Sequence, residues 1–433
     1  MKLICSFLLL SMCWLPLFAQ EEQRCGFYSS PEEKKKYAYF FDFQEKLNQE
    51  IEKRKETTAF ARTEADILTI PVIVHVIHNG EPVGTGTNIS AAQIKTQIDV
   101  LNEDFSNNNP YKNRTVEQFK SVADDSGIRF VLASLDPDGK VLPERGIHRV
   151  RSPNGKRVWL SSDEFDSEIK PSTIWDVAKY LNIWTIDSLR LGGSVGLGYS
   201  SFPNLSGLEG IPQTNIGNSR TDGVVIRHNR FGSAGKIDVP QLPKTGIYSY
   251  GRTTTHEVGH FFGLLHPFEG YSCAVDGDFC PDTPFTSTEA SGCNLSQVRC
   301  NTLSMVQNYM DYARDTCMTL FTKDQIRRMR TVLQVSPTRL ALTQSNVVSS
   351  ADKILSNKVL IYPNPADRQL RITAPDMQLK NYQIYNLSGQ QLTSEKFDEF
   401  SDAIDVSRLG SGMYLLQIET NKGIAVKKII IQR

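Results

Sequence analysis

At 433 residues, with 39% hydrophobic and 22% charged residues, the chain is longer than one hydrophobic core usually organises. Its composition is that of an ordinary globular protein, so two or three folded units are expected. Lys plus Arg number 48 and Asp plus Glu number 48, for a formal net charge of zero, which gives nucleic acid or an anionic membrane no bulk electrostatic hold.

The chain opens MKLICSFLLLSMCWLPLFAQ, one lysine and an apolar run too short to span a bilayer, with Leu17 and Ala19 suiting the small-residue positions before a signal peptidase cut. Residues 1–19 therefore read as a secretory signal, and no later segment is apolar enough to cross a membrane. Export places the eight cysteines in oxidising surroundings. Cys5 and Cys13 leave with the signal. Cys25 then stands near the mature N-terminus, and Cys273, Cys280, Cys293, Cys300 and Cys317 form a cluster expected to make disulfides, with one thiol left over.

Residues 20–61 are dense in Glu, Lys and Arg, carry helical but weakly apolar patterning, and read as a detachable pro-segment or a solvated helix. The first large domain is set at 62–340. It opens with ILTIPVIVHVIHNG, a nearly continuous β-branched run expected of a buried strand; His75 and His78 on it lack partners at metal spacing and read as structural. In NISAAQIKTQIDVLNEDFS, Ile94, Ile98, Leu101 and Phe105 share one helix face, with Asn88 or Ser90 as the start. IRFVLASLDPDG, YLNIWTI and DGVVIRHNRFG supply further strands. Past Arg330 the run QVSPTRLALTQSNVVSSADK, rich in Ser and polar residues, reads as a linker, with its bounds set at 341–354. From 355 to 433, short alternating strands with Gly and Asn turns predict a small all-β sandwich.

Between these lies THEVGHFFGLLHPFEG, which places three of the chain's seven histidines within eleven residues. On a helix, His256 and His260 stand one above the other and can present ring nitrogens to one metal ion. Glu257, one step round, lies where a general base for a water molecule must sit. Gly263 can end the helix in a left-handed turn that returns His266 as third ligand, leaving a fourth position open, as catalytic zinc requires. Thr254 with Glu257 also fits a capping box, which would reduce Glu257 to a helix cap. HExxH alone is a short motif; HExxHxxGxxH is too long to arise readily by chance.

That extended motif resembles the metzincin clan of zinc endopeptidases. The resemblance implies an α+β, zincin-like catalytic domain with a twisted mixed sheet and an active-site helix, ahead of the small all-β sandwich. It also implies a methionine turn beneath the metal. Met305, Met310 and Met318 are available, and Met310 followed by Tyr312 matches the family's arrangement, in which that tyrosine lies near the zinc. Within the clan, NYMDY, GDFCPDTP and IPVIVHVIH look like the pappalysin family over residues 67–335. That likeness implies disulfides Cys273 with Cys300 and Cys293 with Cys317, leaving Cys280 as a departure. It places Asp315 at the base of the pocket for the residue after the scissile bond, where a carboxylate selects Arg, and less well Lys.

Cys25, in QRCGFY, resembles the latency cysteine of some pappalysin zymogens, in which a thiolate takes the open zinc position; a Cys25–Cys280 disulfide is the competing expectation. Asp276, Asp278, Asp282 and Thr283 crowd oxygen donors suited to a structural calcium, although a solvated acidic loop reads nearly as well. YPNPADRQLRI, LGSGMYLLQI and KKIIIQR look like the C-terminal sorting domain of the type IX secretion system; an adhesive or carbohydrate-binding sandwich is the rival. The expectation is thus a secreted or surface zinc endopeptidase, exported through the periplasm, latent until activated, and acting on protein or peptide substrates before Arg or Lys. A surface binding protein retaining its zinc site is the alternative, against which an intact Glu257 argues.

Overall fold

The computed structural model describes residues 22–23, 25, 38–55, 67–191, 194–208, 218–242, 244–274, 276–348, 359–375, 377–387, 390–397, 402–421 and 423–433. The signal segment, Arg62 and most of the linker lie outside them. In the stretch 20–61, read from sequence as a pro-segment, β1 (Glu22–Gln23) and α1 (Ala38–Lys55) form. The domain that follows is built on a mixed sheet. Its central strand β2 (Leu68–His78) pairs parallel with β3 (Ile128–Leu132) along its first half and with β4 (Ile147–Arg151) along its second. On its other side β2 pairs parallel with β5 (Leu181–Ile186).

After a strand at Ser188–Leu191, the chain forms two shorter runs, β6 (Ser194–Gly196) and β7 (Gly198–Ser200), before β8 (Val224–Arg227). β8 lies parallel to β5, and β7 closes the edge antiparallel to β8. Strands covered on both faces need no alternation, which is why β2 is a nearly continuous apolar run, interrupted by Thr69, His75 and His78, and is buried from Ile70 to Ile77. α2 (Ala91–Phe105) starts at Ser90, whose hydroxyl accepts from the Gln93 amide, and lays Ile94, Ile98, Leu101 and Phe105 into the core. Asn88 instead donates its side-chain amide to Glu81 O (2.7 Å).

α3 (Arg252–Phe261) packs on this sheet, and α4 (Lys323–Val335) and α5 (Pro337–Thr343) close the domain. Thr322 and Gln325 cap α4 reciprocally. The run after Arg330 that reads as a linker is thus helical and held. Arg339 is fully buried, spans Asp222 with both terminal nitrogens and stacks on Phe261 with its guanidinium 3.3 Å from the ring centroid. The backbone stays docked as far as Val347, whose carbonyl accepts from Ser134 and Leu135. A polar residue such as Arg339 looks like surface in a sequence; here it neutralises a buried carboxylate.

Beyond residue 358 a separate core gathers Leu370, Ile372, Ile384, Ile404, Leu416, Ile418 and Ile429. Three strands, β9 (Leu360–Tyr362), β10 (Gln369–Thr373) and β13 (Ala403–Asp405), form one sheet. Four, β11 (Leu379–Asn386), β12 (Gln391–Lys396), β14 (Gly412–Thr420) and β15 (Gly423–Ile431), form the other, all antiparallel.

Candidate active site

α3 begins at Gly251, in the left-handed region at φ 86°, so Thr254 and Glu257 lie inside the helix and the capping box read there does not form. Its N-terminal amides are met by Asp315: Oδ2 accepts from Tyr250 N (2.9 Å) and Arg252 N (3.2 Å). An anion at a helix N-terminus complements the macrodipole. The carboxylate expected at a pocket floor therefore also anchors the helix that carries the histidines. α3 ends at Phe262; Gly263 adopts φ +87°, and the chain turns back with His266.

The three imidazoles converge. His256, His260 and His266 Nε2 lie 3.1 Å, 3.1 Å and 3.2 Å from one another, and all three residues are buried. Ligands about 2.0–2.1 Å from a tetrahedral zinc stand roughly 3.3 Å apart, so the triangle fits that ion. The opposite nitrogens fix the tautomers. His256 Nδ1 donates to Tyr309 O (2.9 Å), His260 Nδ1 to Leu264 O (2.8 Å) and His266 Nδ1 to Glu269 Oε2 (3.0 Å), which turns three Nε2 lone pairs toward one point. Burial, with His266 alongside, holds His260 far below its ordinary pKa and keeps it a neutral donor.

Cys25 reaches the same point. Its Sγ lies 3.5 Å from His260 Nε2 and 3.7 Å from Glu257 Oε2. Among the described residues, Cys25, His256, His260 and His266 are the one group of three or more potential metal-ligand side chains that converge. Neither Cys25 nor Cys280 is in a disulfide, so the Cys25–Cys280 bridge does not form; Cys280 is buried against Asp278 O (3.4 Å). The hydroxyl of Tyr312 is 3.3 Å from His266 Nε2, and burial pushes its phenol well above the usual range, keeping it protonated. Met310 is fully buried beneath α3, where a Cβ on Gly259 would stand 2.4 Å from its Sδ. Disulfides join Cys273 to Cys300 and Cys293 to Cys317.

The four oxygen-bearing residues read as a calcium loop are not gathered into one cage. Asp278 is buried and accepts from Thr283 Oγ1 (2.9 Å) and Cys280 N (3.1 Å), and Asp276 accepts from Asp278 N (3.2 Å). Asp282 turns away to accept from Asp324 N at the start of α4 (2.9 Å). Burial and the adjacent Asp276 push the Asp278 carboxyl well up. His75 is structural as expected. It is buried, stacks on Trp184 with centroids 5.0 Å apart, meets Asn182 Oδ1 (2.9 Å), and burial lowers it to about 3.

Sequence reading missed Asp104. Fully buried on α2, it accepts from Thr255 Oγ1 (2.7 Å) and Tyr309 OH (2.8 Å) and pairs with Arg252 (3.0 Å). One carboxylate thereby ties the histidine helix to the turn whose carbonyl orients His256. Its signal was present, an acid beside Phe105 on a helix with a buried face.

Comparison with known proteins agrees with this geometry. Residues 243–334 match the family model of pregnancy-associated plasma protein-A, and residues 360–432 match that of the secretion system C-terminal sorting domain. An extracellular metalloprotease of Colletotrichum graminicola is 30% identical over 316 residues, covering 72% of this chain and 90% of that protein. One from Arthroderma gypseum is 31% identical over 299 residues, with coverage of 67% and 80%. Mature mirolysin of Tannerella forsythia, solved with a cleaved peptide, shares 34% identity at a TM-score of 0.54 over 66% of this chain and 99% of its own. A promirolysin mutant shares 31% at 0.59 over 75% and 99%. The chain belongs to the pappalysin family of metzincin metalloproteases, a secreted zinc metalloprotease that ends in a sorting domain for export.

Proposed function

We propose that the protein is made as a latent zymogen held by Cys25 and, once activated, cuts peptide bonds on the amino side of Arg, and less well Lys. The observation that carries this is the convergence of the three Nε2 atoms and the Cys25 sulfur beside Glu257. His256, His260 and His266 would hold zinc, which when bound acidifies a water and polarises the scissile carbonyl. Glu257 takes the proton of the attacking water and passes it to the leaving nitrogen. The Tyr312 phenol donates to the carbonyl oxygen as charge develops there. Asp315 supplies the carboxylate that pairs with the substrate arginine.

Latency has two supports. Cys25 occupies the fourth corner of the histidine cluster, where the attacking water must otherwise enter. β1 also adds parallel to β6, Glu22 opposite Val195, and so fills a strand edge to which an extended substrate could add. Arg62 is the proposed activation cut, by the enzyme's own preference, and it detaches Cys25. The promirolysin match covers nine percentage points more of the chain than the mature one, about the size of segment 20–61.

Calcium is proposed at Asp276 and Asp278 alone, where a divalent cation would relieve two crowded carboxylates; calorimetric titration with calcium tests it. The sorting domain is proposed to engage the type IX machinery. The deciding experiment profiles activated enzyme on a denatured peptide library, beside Glu257→Ala and a Cys25→Ala precursor. Cuts before Arg, none with Glu257→Ala despite bound zinc, and turnover by the uncleaved Cys25→Ala precursor are expected. Substantial activity in Glu257→Ala would remove the base.

A further inference from the structure

The pro-segment meets the rest of the chain a second time, along α1. Leu47 and Ile51, four residues apart, are buried in a groove of Phe202, Leu205, Leu208, Leu265 and Val332. One turn before Leu47, Gln44 accepts from Arg328 Nη2; near the other end, Arg54 donates to Gln334 (2.5 Å). Arg328 is fully buried, donates from Nε to Gly263 O (3.0 Å), and has no hydrogen-bond partner for Nη1 among the described residues. The groove adjoins the histidine cluster, with the Phe202 and His260 ring centroids 5.4 Å apart and Leu265 directly before His266.

Removal of residues 20–61 strips this groove. The enzyme is left with a contiguous apolar surface and a guanidinium that keeps its bond to Gly263 O but has lost the Gln44 acceptor, both beside the cleft that substrate must thread. Exposed apolar patches of that kind mark interaction sites, and a deprived buried donor favours a partner that restores its bond. The helix lying there defines what fits.

We propose that in the activated enzyme this groove is an exosite for protein substrates. It takes an amphipathic helix that presents two branched aliphatic side chains four residues apart and, one turn earlier, an acceptor for Arg328. A carboxylate serves better than the Gln44 amide, because its bond to a guanidinium is charge-assisted. Selection then depends on a helix flanking the cut as well as on the residue after it. This rests on the reading of 20–61 as a detachable pro-segment.

The test uses activated enzyme, a labelled peptide of residues 38–55 as probe, and two substrates sharing one cleavage sequence: a short peptide, and the same peptide joined by a flexible linker to residues 38–55. Anisotropy should show the probe binding, more tightly with Gln44→Glu and not with Leu47→Glu. The fused substrate should have a KM at least about tenfold below that of the short one at similar kcat. Free probe should inhibit only cleavage of the fused substrate. Enzyme Leu208→Glu should lose the tenfold advantage and keep short-peptide turnover.

Anisotropy needs no catalysis, so it judges the groove even if the preference for Arg fails. Absence of binding, equal binding of the Leu47→Glu probe, equal KM for the two substrates, or equal inhibition of both would overturn the proposal. The peptide variants keep it falsifiable should Leu208→Glu fold poorly.

Discussion

Replacing Gly259 by Ala adds one methyl to the face of α3 that rests on Met310. Its Cβ would stand 2.4 Å from Met310 Sδ and 3.2 Å from Cε, where such atoms pack at roughly 3.5–4 Å. Met310 is fully buried, so its thioether has little room to swing aside in a close-packed core, and what the side chain cannot absorb moves the turn against the helix by up to about an ångström. Two terms oppose each other in stability. Overpacking costs ~1–3 kcal/mol, while Gly→Ala in a helix interior returns ~1 kcal/mol, so the net loss is about 0–2 kcal/mol. Activity responds more strongly. Tyr309, next to Met310, orients His256 through its carbonyl, and Tyr312 lies two residues on; a 1 Å misplacement at reacting groups costs about a hundredfold in kcat/KM. The assay is short-peptide kcat/KM, zinc content and thermal melting for Gly259→Ala, Met310→Ala and the double variant. Without the Met310 side chain the added methyl should cost nothing further. Full activity in the single variant with raised stability, or simple additivity in the double, would refute the reasoning.

Burial lifts the carboxyls of Asp104 and Asp311 to about 6, against about 3.9 in an unfolded chain. The folded state then holds protons that the unfolded state has lost between about pH 4 and 6. Each group's stabilising share is whole below that window and falls by about 3 kcal/mol as pH rises through 6. Asp104→Asn should make the denaturant midpoint fall less with rising pH across that window than it does in the unaltered protein; an unchanged dependence would exclude Asp104 as a contributor. Asp315→Asn keeps an oxygen for the Tyr250 and Arg252 amides but loses the charge. It should flatten the Arg preference in the library profile while lowering stability by about 2 kcal/mol at most, and an unaltered profile would remove Asp315 from the pocket.

The convergence of the three histidines was legible because their spacing is local: His256 and His260 share a helix face, and Gly263 returns His266. What aims them was not, because two of the three acceptors are backbone carbonyls, of Tyr309 and Leu264, and carbonyl oxygens leave no mark in a sequence. Asp315 reads only as a pocket carboxylate, because its service to α3, some sixty residues earlier, depends on the fold. β2, β3, β5 and β8 showed themselves through β-branched runs. β4, reading IHRVR, and the short β6 and β7, rich in Gly and Ser, lacked that pattern and take their conformation from their neighbours. Asp104 and Arg339 mislead for one reason: a charged residue reads as solvent-facing until its buried counter-charge is known.

The segment from the third histidine to the methionine turn has little regular structure of its own beyond two paired two-residue strands, Val298–Arg299 and Thr302–Leu303. Its order depends on two disulfides spanning 27 and 24 residues, each worth about 3.5 kcal/mol by loop closure. They are alike in that respect and unlike in what they enclose. Cys293–Cys317 brackets Tyr309, Met310 and Tyr312, the residues that orient His256 and meet His266; Cys273–Cys300 brackets none of them. Replacing both members of a pair by Ala should therefore lower global stability similarly in the two cases, by about 2–4 kcal/mol. Only loss of Cys293–Cys317 should weaken zinc retention, by about ten- to a hundredfold, since it loosens what holds the ligands. Chelator competition on each folded double variant separates local loosening from global loss. Equal zinc affinity in the two variants would show that the turn keeps its place without the bridge.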